Sequence, residues 1–191
     1  MTAVDFVKRV VVALDTLGVP YMAVGSFSTN VSGKVRSTKD ADFVVEMGGL
    51  SVARLAQELG TEFELDPQMS FETITATTRY RFRHRASAFM VEIFLLSNDP
   101  HDQQRFARRV QGDIGGRSTF VPTAEDVVIQ KLRWSKHGQR SKDVEDVRGV
   151  LGVQAGKLDL DYIRRWCDQH GTRGLFEELL EESRRFEPEQ R

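Results

Sequence analysis

Cysteine is nearly absent from this chain: Cys167 is the single one in 191 residues. That excludes an intrachain disulfide framework and a four-cysteine zinc site. Cys167 itself reads as a buried helix residue, and such sparse use suits a reducing compartment. Long apolar runs are also missing. Stretches such as Val10 to Leu14 and Val91 to Leu96 fall far short of the ~20 residues a membrane span needs. The first residues mix Asp5, Lys8 and Arg9 into an amphipathic pattern, without the apolar segment of a signal peptide. The expected location is the cytoplasm, with no membrane partner. Neither sign of charge dominates, with 27 basic against 28 acidic residues and a net charge of -1. A strongly basic nucleic-acid coat is thereby excluded, but a local basic patch is not. The four histidines show no ligand spacing. Neither a Walker phosphate loop nor a Ser-His-Asp logic is found.

What is present is a globular composition, 40% apolar and 29% charged. Residues 4 to 17 have the apolar spacing of an amphipathic helix, stopped by Gly18-Val19-Pro20. Short apolar strands are predicted over Tyr21 to Val24 and Asp40 to Glu46, with a short helix from Ser26 to Val31 between them. A helix follows over Leu50 to Leu59. Thr77 to Arg85 and Ala88 to Leu96 read as a hairpin. Asp99 to Val110 reads as a helix and Arg117 to Val121 as a last strand. After Pro122-Thr123 the pattern is helical throughout: Ala124 to Trp134, Ser141 to Leu151, Asp159 to His170 and Leu175 to Phe186. The chain therefore reads as α+β, with a mixed-sheet part over residues 1–122 and a helical region over 123–191.

The informative stretch runs from Val24-Gly25-Ser26-Phe27 to Arg36-Ser37-Thr38-Lys39-Asp40-Ala41-Asp42-Phe43-Val44-Val45. Gly25 permits a tight turn and a close backbone approach to a ligand. Ser26 would place a hydroxyl at a helix N-terminus, a natural phosphate position. Asp40 and Asp42, two apart on a strand, share one face. Adjacent carboxylates repel until something neutralises them. Mg²⁺ does so, and it favours a few carboxylates combined with substrate phosphates.

This arrangement resembles the signature of the nucleotidyltransferase superfamily, the DNA polymerase beta-like fold. The resemblance implies a mixed sheet flanked by helices. It also implies transfer of a nucleoside monophosphate from an NTP, with Mg²⁺ or Mn²⁺ as cofactor. Gly25, Ser26, Asp40 and Asp42 match the motif. The third carboxylate that the family takes from a later strand falls on Glu92, a lone acid in Phe89-Met90-Val91-Glu92-Ile93-Phe94. Two metal ions would then be shared among Asp40, Asp42 and Glu92. Glu92 replaces the commoner Asp, and Ala41 is smaller than the usual apolar residue.

A second segment resembles the C-terminal motifs of small bacterial nucleotidyltransferases of the abortive-infection, type IV toxin group. It runs from Pro122 to Arg133 and on through Arg140-Ser141-Lys142-Asp143-Val144-Glu145-Asp146. The resemblance implies that Lys131 contacts triphosphate, Asp143 supports catalysis or positions Lys131, and Arg140 contacts phosphate or acceptor. A solvated, charge-paired helix face is the plainer reading of the same residues.

Arg79, Arg81, Arg83 and Arg85 alternate with Tyr80, Phe82 and His84, so on a strand they share a face. A two-residue turn at Ala86-Ser87 sets Arg81 opposite Glu92. Such a stripe would hold triphosphate or an RNA backbone, or reduce to one Arg–Glu pair and three solvated arginines. Arg36 and Arg81 join Gly25, Ser26, Lys131 and Arg140 as candidate nucleotide contacts. The expected acceptor is a hydroxyl of tRNA or other RNA, of a protein or of a small molecule. A toxin role would add a cognate antitoxin protein. The alternative is a non-catalytic binding or antitoxin module of the same fold.

Overall fold

The computed structural model describes residues 2–34, 38, 40–138 and 141–185. It falls into two compact units, Met1–Ser28 with Arg36–Pro122, and Thr29–Val35 with Thr123–Arg191. Among the described residues there are eight helices, and none is long and apolar enough to cross a membrane.

The first unit opens with α1 (Ala3–Thr16). Its N-terminus is closed by a capping box, in which Thr2 and Asp5 each accept the other's backbone N–H. Phe6, Val7, Val10, Val11 and Leu14 form its buried stripe. Then come β1 (Tyr21–Val24), the first half of α2 (Gly25–Ser32), whose residues from Thr29 on belong to the second unit, β2 (Asp40–Val45), α3 (Val52–Leu59), β3 (Phe63–Leu65), β4 (Ser70–Glu72), β5 (Thr77–His84), β6 (Met90–Leu95) and α4 (Pro100–Ala107). A hairpin of β7 (Val110–Ile114) and β8 (Arg117–Val121) completes the unit.

The main sheet is ordered β1-β2-β6-β5-β3, with β4 also pairing to β5. Among the described residues, β2 and β6 pair in parallel and the other pairs are antiparallel. Phe43, Phe82, Val91 and Ile93 pack with α1 and α3 in the larger core. Met22, Val24, Val44 and Phe106 form a smaller cluster, joined by Phe94 and Leu96. Residues 42 and 44, and 92 and 94, alternate with the larger core's residues. The small cluster therefore lies on the face that also bears Asp42 and Glu92.

The mixed, partly antiparallel sheet agrees with the expected fold class. Three strands were not anticipated. β3 and β4 are three residues each and carry no alternating pattern. The expected helix over Asp99 to Val110 ends at Ala107, and Val110 opens β7. Gly115 and Gly116 both take positive φ between Ile114 and its partner Arg117. That is a two-residue turn of the I′ kind, which demands a strand on each side.

The second unit holds α5 (Ala124–Gly138), α6 (Ser141–Val153), α7 (Leu160–His170) and α8 (Arg173–Arg185). α5 runs on through His137 to Gly138, past the expected end at Trp134. Ile129, Leu132, Val150, Ile163, Cys167, Phe176 and Leu179 fill the core of the unit. Asp126 is fully buried there; its carboxylate accepts from the Tyr162 hydroxyl at 2.7 Å and from Thr123 Oγ1 at 3.0 Å. A buried carboxylate needs such donors.

Burial pushes the Cys167 thiol up to about 11, against a smaller opposite effect of its hydrogen bond with Thr172. Since the thiolate is the reactive form, Cys167 is expected to resist a thiol reagent at pH 8 until the helical unit opens. Rapid stoichiometric labelling of the native protein would contradict this placement.

Candidate functional site

Parallel pairing of β2 with β6 sets Asp40 beside Met90 and Asp42 beside Glu92. Registered neighbours in a sheet present their side chains to one face, as do residues two apart on a strand. Asp40, Asp42 and Glu92 therefore share a face. Asp40 is exposed; Asp42 and Glu92 are half-buried. Three carboxylates so placed need positive charge nearby.

Part of that charge comes from β5. Arg79 Nη1 lies 3.3 Å from Glu92 Oε1 and 3.4 Å from Oε2. Arg79 Nε donates to Ser70 Oγ at 2.9 Å, and its guanidinium stands 6.0 Å from the centroid of the Phe94 ring. The backbone register is the expected one, with Arg81 opposite Glu92. The side-chain pairing is not. Arg81 reaches Asp66 at 3.2 Å, and Arg79, two residues away on the same face, takes Glu92. The cause is local. The backbone N–H of Asp66 donates to the Arg81 carbonyl at 2.8 Å, which docks the Asp66 carboxylate beside that arginine. Arg83 and Arg85 both approach Glu64, at 3.7 and 3.6 Å. The four arginines thus face three acids, Glu64, Asp66 and Glu92; Arg79 and Arg81 are paired and half-buried, whereas Arg83 and Arg85 are exposed and share Glu64.

Gly25 stands at the turn from β1 into α2 with φ +64. A Cβ built there would overlap the Asp42 carboxylate. The side chain of Asp42 therefore leans against the Gly25 backbone, an approach only glycine allows. Ser26 follows in the first turn of α2, where backbone N–H groups have no intrahelical partner.

Lys131 and Asp143 lie in the second unit. Lys131 Nζ contacts Asp143 Oδ1 at 2.9 Å and Asp146 Oδ2 at 2.7 Å. The side chains are 14%, 3% and 6% exposed, so this is a buried triad of one cation with two anions. Asp143 and Asp146 are three apart on α6 and meet the lysine of α5 on one face. Arg36 and Arg140 lie outside the described residues.

Among the described residues, no three His, Cys, Asp or Glu side chains converge into a group able to hold a metal ion. The direction of Glu92 toward Arg79 fits that result. The donor set nevertheless suits a hard cation. Mg²⁺ is ordinarily held by one or two carboxylates plus substrate phosphates, not by an all-protein cage. Asp40 and Asp42 offer that pair of carboxylates, and Gly25 leaves room against one of them.

Two site features escaped sequence reasoning. Arg79 was one arginine among four, and nothing in the sequence singled it out. Ser70 and Asp66 lie between Leu59 and Thr77, a stretch to which the sequence pattern assigns no element, and Asp66 directly follows β3.

No protein-family model and no curated protein matches the chain. Solved structures do. The antibiotic-resistance factor ANT(2'')-Ia superposes with a TM-score of 0.64 at 12% identity, over 92% of this chain and 94% of that one. The lincosamide antibiotic adenylyltransferase LnuA, lincomycin-bound, gives 0.56 at 11%, over 80% and 98%. An antigenic nucleotidyltransferase-like protein from Paracoccidioides brasiliensis gives 0.55 at 17%, over 92% and 91%. The chain has a nucleotidyltransferase-like fold.

Two stability measurements test this geometry. Gly25→Ala is expected to cost about 1–2 kcal/mol from the left-handed backbone alone, and more from collision with Asp42. An unchanged denaturation midpoint would contradict the close approach. Lys131→Met is expected to cost about 3 kcal/mol by removing the cation from a buried pair of acids. Adding Asp143→Asn and Asp146→Asn should recover much of it. A fully stable Lys131→Met protein would refute a buried triad.

Proposed function

We propose that this protein transfers a nucleoside monophosphate from an NTP to an acceptor hydroxyl, releasing pyrophosphate. One observation carries the reading. The β2–β6 register gathers Asp40, Asp42 and Glu92 on one face, with Gly25 and Ser26 opening the adjoining helix. Carboxylates clustered this way suit a divalent cation brought in on a triphosphate.

In this reading Asp40 and Asp42 hold Mg²⁺ or Mn²⁺ with the nucleotide. The metal, when bound, neutralises charge on the triphosphate and favours the attacking hydroxyl's ionised form. Glu92 supplies the third carboxylate, toward the metal or toward the proton that the hydroxyl loses. Gly25 and Ser26 present backbone and hydroxyl donors to phosphate. Arg140 and Arg36 are assigned to the triphosphate by their places in the motifs; Lys131, held between Asp143 and Asp146, is given a weaker claim than its motif implied, with Asp143 positioning it. Arg81, tied to Asp66, is given a weaker claim on phosphate than its place in the stripe implied.

The paired stripe also bears on the acceptor. Three acids, Glu64, Asp66 and Glu92, offset most of the charge of the four arginines and leave a weak hold for an RNA backbone. A small-molecule hydroxyl is therefore favoured over RNA or tRNA. By their names, two structural neighbours are an antibiotic-resistance factor and an antibiotic adenylyltransferase, and the former was also solved with adenylyl-2''-tobramycin. A toxin–antitoxin role and a cognate antitoxin rest on the motif resemblance alone.

The test is transfer of label from each α-labelled NTP, with Mg²⁺, to a panel of hydroxyl-bearing antibiotics, total tRNA and the protein itself. The wild-type protein should label one acceptor class. Asp42→Ala and Asp40→Ala should each lower transfer at least about a hundredfold, with thermal unfolding little changed. Near-full transfer by Asp42→Ala would overturn the mechanism. Label on tRNA that fades steeply with salt would overturn the choice of acceptor.

A further inference from the structure

The strongest unexplained feature of the carboxylate face is the way Arg79 is held. It touches both oxygens of Glu92, at 3.3 and 3.4 Å. It is not a loose surface arginine. Its Nε donates to Ser70 Oγ, and Ser70 Oγ in turn donates to the Arg79 backbone carbonyl at 3.4 Å. The ring of Phe94, registered opposite Arg79, backs the guanidinium. Meanwhile Asp66 and Glu64 occupy the neighbouring arginines. Of the four, Arg79 is the one whose acid partner is a carboxylate of the candidate site.

We propose that Arg79 is a positioning residue, a built-in cation that holds Glu92 until a divalent metal replaces it. The inference rests on the proposed metal–nucleotide site. A guanidinium and a metal ion compete for the same carboxylate oxygens, because each needs them as its counter-charge. While Arg79 holds Glu92, the charge of that carboxylate is countered. Were Glu92 to turn to the metal, Arg79 would keep its hydrogen bonds with Ser70. Metal binding and the Arg79–Glu92 pair are then alternatives, and each weakens the other by the same factor.

Mn²⁺ binding to the nucleotide-free full chain, followed by the free-Mn²⁺ paramagnetic resonance signal, reads this without any acceptor. Arg79→Gln should bind Mn²⁺ roughly tenfold more tightly than wild type, since it removes a competing unit charge a few ångströms from the ligand. Arg79→Lys, which keeps the charge, should stay near wild type. Ser70→Ala, which loosens the tether, should fall between them. In an Arg79→Gln/Glu92→Gln double variant the gain should vanish.

Equal Mn²⁺ affinity in wild type and Arg79→Gln, with a loss in Asp42→Asn, would overturn the exchange and leave the site standing. Mn²⁺ affinity unaffected by Asp42→Asn would overturn the site itself. If Arg79→Gln fails to fold, Arg79→Lys and Ser70→Ala still decide. Under the exchange Ser70→Ala binds more tightly than Arg79→Lys, whereas equal affinity refutes it.

Discussion

The structure of the candidate site depends on one strand pairing. β2 and β6 are the parallel neighbours in the main sheet, and their register puts Asp42 directly beside Glu92. In a parallel pair, side chains at the same level point the same way, and no slip by one residue can preserve that. The apolar residues on the other face, Phe43 and Ile93, are fully buried in the larger core and lock the register. The hydrophobic core thus enforces a concentration of negative charge on the opposite face. The rest of the site answers that charge.

The answers come from separate elements. From β5 comes Arg79, held to its place by Ser70 and Phe94. From the β1–α2 turn comes Gly25, which accommodates the Asp42 carboxylate by having no side chain. Beyond the protein, a divalent cation on a nucleotide would complete the neutralisation. The second unit solves its own version of the problem, burying Asp143 and Asp146 around Lys131. In the helical unit the two buried acids are stable because a lysine stands between them. The stability of the helical unit and the chemistry proposed for the sheet rest on the same electrostatic requirement.

Much of this was legible in the sequence, for specific reasons. Tyr21–Val24 and Asp40–Val45 announce themselves as apolar strands, and the gap between them carries glycine and serine. Glu92 stands out because it is an acid inside an apolar run. The β5–β6 register is the expected one, although the strands end at His84 and Met90 and the turn between them is longer than the two residues expected. What could not be read was side-chain choice. Arg81 faces Glu92 in the ladder, yet the backbone hydrogen bond from Asp66 diverts it and leaves Glu92 to Arg79. Strands as short as β3 and β4 are fixed by their pairing to β5 and not by their own composition. β7 was missed although Gly115-Gly116 marked the turn that required it.

The central claim is that the carboxylate face exists to receive a metal–nucleotide. Calorimetric titration of the protein with ATP and with each other NTP, in Mg²⁺ and again in chelator, tests it most directly. The account predicts saturable binding of at least one NTP that requires Mg²⁺ and is lost in Asp42→Asn. Binding of equal strength in chelator, or binding indifferent to Asp42, would contradict it.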